Sequence, residues 1–220
     1  MSEVLILVDS VAGKVSKSTG ELATFAKAIG RVNAVVFDAA LVPQLSSYAI
    51  DNVIVCAGVA SRSIASQLGD RVNVYPVKGY SITVNLSDKA SQEGAPNVSL
   101  LDDETKLVTS RLGLDRFRVA GTAEFNGVNR DIRSDRIKPL VDWVNGCFPE
   151  VSTRSIVPWA GLRPMMPNMM PRVGRGNKPN VYYNTGHGHL GWTLSACTAE
   201  MIGDVIQFGG ASASTKVVQV

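Results

Sequence analysis

Several residue types are scarce in this sequence, and each scarcity argues against a class of protein. The three cysteines, at positions 56, 147 and 197, lie far apart without paired spacing, which argues against a disulfide framework and favours reduced thiols. The two histidines, His187 and His189, could hold a metal only with ligands from elsewhere, so we predict no metal site. No serine, histidine and aspartate, and no cysteine and histidine, have the local spacing of a hydrolase.

Long apolar runs and long basic runs are missing as well. The first apolar run, Val4 to Val8, is far shorter than the roughly 20 residues of a spanning helix. An acidic residue precedes this run, so we expect neither a signal peptide nor a transmembrane segment there. The 22 basic and 19 acidic residues give a net charge of only +3 and form no run that could follow a phosphate backbone. We therefore expect no nucleic-acid partner.

The sequence does contain enough apolar residues for a folded chain. Hydrophobic residues make up 45% of its 220 residues, which excludes a disordered or fibrous protein and fits one large domain or two small ones. Compact apolar runs, which favour buried strands, occur at residues 4–8, 34–37 and 53–56. A polar stretch up to Gly20 predicts a loop, and the apolar spacing that follows predicts a helix from Glu21 to a stop at Gly30.

The pattern changes in the middle of the chain and changes back near its end. Alternating apolar and polar residues predict antiparallel strands at 80–86, 106–110 and 116–120. The remaining residues predict a helix at 131–144, a loop rich in glycine, proline and methionine from Val157, a strand at 181–183 and a helix at 193–208. This order indicates a mixed α/β and α+β fold, in which a second, antiparallel domain interrupts a nucleotide-type α/β domain.

Three short strings could carry chemistry. In residues 184–193, three glycines between a strand and a helix let backbone N–H groups approach a ligand, which predicts a cofactor-facing turn. In residues 159–164, Arg163 stands before a proline in a restricted backbone that suits bidentate carboxylate recognition. Residues 75–80 lead from the first block into the second, where ligands often bind. A glycine connection without a ligand, a surface ion pair and a plain linker remain the respective alternatives.

Four strings together resemble one family. They are YPVKGYSITV at 75–84, DDETKLVTSRLGLDRFRVAGTAEFNG at 102–127, WAGLRPMMPNMMPRVG at 159–174 and NTGHGHLGWTLSAC at 184–197. In this order they resemble the FAD-dependent amino-acid oxidoreductases of the D-amino acid oxidase and glycine oxidase group, and within it the bacterial D-amino acid dehydrogenases. VIVCAG at 53–58 resembles the strand and glycine turn that lead to the flavin in this group. The resemblance covers roughly residues 20–208.

The resemblance implies a two-domain flavoprotein that uses FAD. It implies oxidation of the Cα–N bond of a D-amino acid by hydride transfer to the flavin, which gives a 2-oxo acid and ammonia, with electrons passed to a quinone or another acceptor. It also implies a partial FAD-binding part, an antiparallel substrate domain and a return to the FAD-binding domain, at residues 1–74, 75–156 and 157–220. We expect D-amino acid catabolism in the cytoplasm, with peripheral attachment to the inner membrane as an open alternative.

The same resemblance assigns roles to individual residues. Arg163 is expected to bind the substrate carboxylate, with Tyr80 and His189 bordering the substrate. The residues expected to contact the cofactor are Ala57, Gly58, Gly161, Gly186, His187, Gly188, Leu190, Gly191, Trp192 and Thr193. No catalytic base is assigned, since in this chemistry the protein positions the substrate and the flavin reacts.

The sequence departs from the family pattern in three places. Asn168-Met169 stands where an Asp-Gly pair is usual, and His189 replaces a small residue. The third departure concerns the G-x-G-x-x-G turn that holds the FAD pyrophosphate. Val8 and Ser10 stand at two of its glycine places, so we interpret the match of Gly13 as coincidence and expect most of the FAD-binding half to be missing.

Three hypotheses follow from these departures. The chain is a shortened D-amino acid dehydrogenase or its C-terminal part, or an incomplete flavoprotein that needs a partner chain or a second copy to bind FAD, or an amino-acid-binding module without enzymatic activity.

Overall fold

The computed structural model describes residues 2–36, 39–48 and 50–208. Two compact units share the chain, Met1–Tyr75 together with Pro164–Val220, and Pro76–Arg163. The described residues form twelve strands: β1 Ser2–Leu7, β2 Ser10–Val11, β3 Lys14–Val15, β4 Gly30–Val36, β5 Asn52–Val55, β6 Tyr75–Asn85, β7 Leu101–Asp102, β8 Leu107–Arg111, β9 Arg116–Phe125, β10 Ile156–Met165, β11 Arg172–Arg175 and β12 Val181–Thr185. They also form five α-helices, α1 Lys17–Ile29, α2 Ser61–Gln67, α3 Lys89–Gly94, α4 Ser134–Cys147 and α5 Gly191–Phe208, and two 3-10 helices, Ala39–Ser47 and Gly58–Ala60.

The first unit is built on a mostly parallel sheet with the strand order β1-β4-β5-β12-β11. The first four strands pair in parallel, and β11 joins the edge antiparallel to β12. Apolar side chains of these strands lie in three buried clusters. Helix α1 packs in the first, α2 packs in the second, and α5 packs against Ile54 and Tyr182 in the third. The strands predicted from apolar runs are therefore confirmed, except that Phe37 lies outside the described residues.

Helix α1 begins four residues earlier than predicted, inside the polar stretch that we expected to be a loop. Ser16 caps the helix, because its Oγ accepts a hydrogen bond from the Thr19 N–H at 3.2 Å. Thr19 is itself buried, beside the apolar side chains of Ala23 and Ala26. The predicted stop at Gly30 is confirmed, since the helix ends at Ile29.

A small hairpin joins β1 to α1. Strands β2 and β3 pair antiparallel around a turn in which Ala12 has φ 52° and Gly13 has φ 75°. Two successive left-handed residues are typical of a tight hairpin turn. Residues 8–13 therefore do not form a glycine turn that enters a helix directly, and Val8 is buried in the core.

The second unit contains an antiparallel sheet with the strand order β10-β6-β9-β8-β7. Helix α4 buries Ile137, Leu140 and Val144 against one face of this sheet. The predicted alternating strands and the helix are confirmed, but the loop predicted from Val157 is wrong. That segment is strand β10, hydrogen-bonded to β6, because Ile156 and Ala160 pack on the unit's core despite the glycine and prolines nearby.

No helix in the described part of the chain is long and apolar enough to cross a membrane.

The Ser16 cap gives a test of the N-terminal helix. We expect Ser16→Ala to lower the free energy of unfolding by about 1 kcal/mol, because the N–H of Thr19 loses its side-chain acceptor and keeps only the Ser16 carbonyl. Thr24→Ala is the matched control, since it removes an exposed hydroxyl from the same helix and should change stability by less than about 0.5 kcal/mol. Urea unfolding measures both, and equal effects would show that Ser16 does not cap the helix.

Candidate functional site

Two turns lie side by side where neighbouring parallel strands end. Cys56, Ala57 and Gly58 follow β5, and Gly186 to Gly188 follow β12, whose Tyr183 is in register with Val55. Behind the turns, the hydroxyls of Ser61 and Thr185 are 2.7 Å apart, and both residues are buried. The carboxyl ends of parallel strands are where open α/β sheets bind their ligands. The structure thus brings together two strings that the sequence keeps 127 residues apart.

The glycines of the second turn are required by its backbone. Gly186 and Gly188 have φ 81° and 58°, in the left-handed region that favours glycine. A Cβ atom on Gly186 would lie 2.6 Å from Met166 Cγ, and one on Gly188 would lie 2.5 Å from Met165 Sδ. The N–H of Gly188 also donates to the Pro164 carbonyl at 2.9 Å. These glycines therefore have a packing role in addition to any role toward a ligand.

His187 is held in one orientation by helix α5. Its Nε2 lies 3.0 Å from Thr198 Oγ1, and this hydroxyl donates to the Leu194 carbonyl at 3.0 Å. When the hydroxyl donates to this carbonyl, it accepts from the ring, so that Nε2 carries the proton and Nδ1 is left as an acceptor. Burial lowers the pKa of His187, which keeps the imidazole neutral at pH 7.

The remaining predicted cofactor residues of this unit start helix α5 and are largely exposed. Gly191 is the first helical residue, and His189 and Thr193 on either side are exposed. Leu190 is 41% exposed and Trp192 is 97% exposed. The N-terminal end of an 18-residue helix favours an anion or an electron-rich acceptor.

Cys56 links the two strand ends and does not supply a nucleophile. The backbone N–H of Asn184 bonds to its thiol, while burial raises the pKa of Cys56 to about 11. The protonated thiol is a weak nucleophile at neutral pH. Among the described residues, no cluster of three His, Cys, Asp or Glu side chains could hold a metal ion.

In the second unit, Arg163 lies over the backbone of Gly79. Its Nη1 donates to the Thr122 carbonyl at 2.9 Å, and its Nη2 faces the Gly121 carbonyl at 3.4 Å. A side chain at position 79 would displace the guanidinium from this place. Thr122 has a left-handed backbone, φ 63°, and its buried hydroxyl has no hydrogen-bond partner in the structure. Strained backbone of this kind is often found at functional sites.

Arg163 has no carboxylate partner within the described ranges of the chain. Burial, and secondly the positive charge of Arg118, lower the pKa of its guanidinium, although arginine remains charged at neutral pH. The guanidinium of Arg118 lies 5.8 Å from the centre of the Trp159 ring, and its Nη2 is 3.4 Å from Ser81 Oγ. This part of the sheet can therefore attract an anion.

A family comparison identifies the chain. Residues 7–205 match the family model described as FAD dependent oxidoreductase. The chain belongs to this family. Over 156 residues it is 67% identical to D-amino acid dehydrogenase 3 of Mesorhizobium japonicum, an alignment that covers 71% of this chain and 38% of that protein. Over 214 residues it is 38% identical to the D-amino acid dehydrogenase of Rhizorhabdus wittichii, with 92% of this chain and 50% of that protein covered.

Solved structures share the fold. The glycine oxidase of Bacillus cereus superposes with a TM-score of 0.61 at 20% sequence identity, over 73% of this chain and 44% of that one. This likeness confirms the mixed fold with a parallel and a separate antiparallel sheet. The chain of this FAD-dependent oxidoreductase spans 38% to 50% of the length of the two dehydrogenases it matches.

The residues at the two strand ends fit part of a dinucleotide site in this FAD-dependent oxidoreductase. Gly58, Gly186 and Gly188 have left-handed backbones at the carboxyl ends of parallel strands, and the long helix α5 starts three residues after Gly188. The connection from β1 to α1 does not fit such a site, because a hairpin stands in place of the glycine turn. The fit is therefore partial.

Two predicted site residues, Tyr80 and Gly161, also have packing roles in the structure. Tyr80 does not line an open face, because it is 1% exposed and its hydroxyl donates to Glu124 Oε2 at 2.5 Å. Gly161 has a packing reason, since a Cβ atom there would collide with the ring of Trp159.

The Met169 backbone is left-handed, φ 61°, where the family usually has glycine. The turn nevertheless forms, with the Met169 N–H donating to the Met166 carbonyl at 3.0 Å.

A buried ion network was missed by the sequence reasoning. Lys78 Nζ lies 3.1 Å from Glu124 Oε2, and Arg133 Nη1 lies 2.8 Å from Oε1. The hydrogen bond from Tyr80, with Lys78 and Arg133, lowers the pKa of Glu124 from 4.5 to about 2. The pattern offered no signal for it, since Lys78 and Glu124 both lie just outside the strands predicted at 80–86 and 116–120.

The lowered pKa of Glu124 predicts a pH dependence of stability. An ionised Glu124 stabilises the folded chain above pH 4.5, and this contribution is lost as the pH falls toward about 2. We expect urea midpoints to fall between pH 4.5 and 2 more steeply for the wild type than for Glu124→Gln. Glu93→Gln, which removes an exposed ion pair with Lys89, should keep the wild-type slope. A Glu124→Gln slope equal to that of the wild type would contradict the network.

The turn after β12 gives a second prediction. We expect Gly186→Ala to cost about 1–2 kcal/mol of unfolding free energy, because alanine resists the left-handed backbone. Gly203→Ala is the control, since its added Cβ meets open space on helix α5 and should stabilise the protein by up to about 1 kcal/mol. Urea unfolding should show opposite signs, and a neutral Gly186→Ala would show that this backbone is not constrained.

Proposed function

We propose that the chain carries the substrate-binding and flavin-facing elements of an FAD-dependent D-amino acid dehydrogenase. The reaction is the oxidative deamination of a D-amino acid to a 2-oxo acid and ammonia. Two observations support this proposal together, the family membership and the Arg163 guanidinium, which is fixed by two carbonyl groups and has no carboxylate among the described residues. The second observation is the one that carries it, because a fixed guanidinium recognises the carboxylate common to all amino acids.

Arg163 has N–H donors that remain available to hydrogen-bond a substrate. The guanidinium carries five N–H donors, and the carbonyls of Thr122 and Gly121 engage only part of them. The remaining donors can form two parallel hydrogen bonds to one carboxylate. A bound substrate would also relieve the isolation of a half-buried positive charge.

The strand-end turns are proposed to hold the cofactor. FAD, when bound, supplies the hydride acceptor. The backbones of Ala57 and Gly58 would bind its dinucleotide part, and the turn from Gly186 to Gly191 would lie against its ring. A neutral His187 adds no charge there, and the exposed side chains of Leu190, Trp192 and Thr193 remain available for contact. His189 is proposed to border the substrate, as the resemblance implies.

A second candidate function is an incomplete flavoprotein that needs another chain to bind FAD. One finding favours it. The β1–α1 connection is a hairpin instead of a glycine turn. A module that binds amino acids without any flavin is the third alternative. The partner could be a separate polypeptide or a second copy.

We also propose that a quinone or a related acceptor takes up the electrons, and that the protein acts in the cytoplasm in D-amino acid catabolism, with peripheral attachment to the inner membrane as the alternative. Vesicle sedimentation and quinone reduction by the flavin-loaded protein would test these two statements.

The direct test is the visible spectrum of the purified chain after incubation with FAD, followed by addition of D-alanine. We expect a protein-bound flavin spectrum that survives gel filtration and bleaches with D-alanine but not with L-alanine. No retained flavin, with D-alanine still bound in calorimetry, would favour the need for a partner or the binding module. No retained flavin and no D-alanine binding would overturn the proposal.

The Arg163 role is tested by Arg163→Lys in the same assays. We expect the dissociation constant or the KM for D-alanine to rise roughly 10- to 100-fold, because lysine keeps the charge but loses the bidentate hydrogen bonds. Arg154→Lys, which changes an exposed arginine of the same unit, is the control. Equal D-alanine affinity in both variants would exclude Arg163 as the carboxylate-binding residue.

A further inference from the structure

Two guanidinium groups lie on the same face of the antiparallel sheet. The register pairs Thr83 with Arg118 and Ser81 with Ala120, and residues directly opposite each other share a face. Arg118 reaches Ser81 Oγ on this face, while Arg163 lies over Gly79, two residues further along the same strand. Positions two apart on a strand are separated by roughly 6.6 Å. The two guanidinium groups therefore lie over nearby positions of β6, Ser81 and Gly79, next to the register shift between Lys78 and Tyr80.

Strand β10, which pairs with β6, gives separate support for placing Arg163 and Arg118 on one face. Ile156 and Ala160 pack on the core, so the alternation of the strand directs Trp159 and Arg163 to the opposite face. The contact of Arg118 with the Trp159 ring agrees with this alternation. After burial, the positive charge of Arg118 is the second cause that lowers the pKa of the Arg163 guanidinium.

Neither guanidinium is neutralised within the described ranges. Arg133, in the same unit, shows the contrast, because it pairs with Glu124 and Asp135. Two like charges held close together in a partly buried place repel each other, and an anion between them removes that repulsion. A carboxylate has two oxygens that can each accept hydrogen bonds from guanidinium groups, so one carboxylate can bridge two arginines.

We propose that Arg118 is a second binding residue for the substrate carboxylate, which it shares with Arg163. Trp159 and Ser81 hold the Arg118 guanidinium in place, as the Thr122 and Gly121 carbonyls hold that of Arg163. This inference rests on the proposed function and adds a residue to it.

The test measures carboxylate binding without turnover, so it does not require bound flavin. Propionate has the carbon skeleton and carboxylate of alanine but no amino group to oxidise, and propionamide is its neutral counterpart. Binding is followed by tryptophan fluorescence, because Trp159 lies against Arg118, and Trp159→Phe identifies the part of the signal that comes from this residue. We expect saturable binding of propionate and none of propionamide.

Three variants separate the roles of the arginines. Arg118→Gln and Arg163→Lys should each weaken propionate binding about tenfold, whereas Arg116→Gln should change it less than twofold. Arg116 lies on the same strand and its side chain is 57% exposed, so its variant controls for the loss of one charge. The fold-loss of propionate affinity in the double variant Arg118→Gln/Arg163→Lys should be clearly smaller than the product of the two single fold-losses, because residues that bind one carboxylate are coupled. Circular dichroism establishes that each variant is folded.

The possible outcomes separate the shared site from the proposed function. Weak binding in Arg163→Lys with wild-type binding in Arg118→Gln would overturn the shared site and leave the proposed function standing. The shared site would also be overturned if the double variant lost the full product of the two single losses in affinity. It would be overturned as well if Arg118→Gln weakened the binding of D-aspartate but not of propionate or D-alanine, because Arg118 would then bind a second carboxylate. Wild-type binding in both variants would overturn the role of Arg163 together with that of Arg118.

Discussion

The buried pairing of Lys78 and Tyr80 with Glu124 is the constraint on which the antiparallel unit depends. Both side chains reach the same carboxylate from β6, at the place where the register with β9 shifts. Gly79 stands between them and offers bare backbone to the opposite face, where Arg163 lies. A charged network inside the core thus fixes the backbone that a candidate binding residue needs on the other side.

The parallel unit has a comparable junction at the ends of β5 and β12. Neighbouring strands place two glycine-containing turns together, and the hydroxyls of Ser61 and Thr185 join them. The same glycines make room for Met165 and Met166. Because packing and ligand binding both call for glycine here, the presence of glycine alone does not separate the two roles. Variants that change backbone freedom and flavin binding separately can do so.

Sequence patterns predicted most elements because apolar periodicity reports burial directly. The strands around Val4 and Val53 and the helix before Val144 follow from this signal. It failed in β10, where glycine and proline indicated a loop, because pairing with β6 and the packing of Ile156 outweigh local preference. At Tyr80 the sequence did not show that the hydroxyl donates to the buried carboxylate of Glu124, because that carboxylate lies 44 positions away on another strand.

The sequence by itself determined the two kinds of sheet, the family and the candidate residues Arg163 and Gly186 to Gly191, since these follow from periodicity and from motifs in a fixed order. Tertiary structure alone decided which residues meet. Arg118 and Arg163 are 45 positions apart, and Lys78 and Glu124 are 46 apart. Their proximity depends on strand order and register, which long-range packing selects and no local pattern encodes.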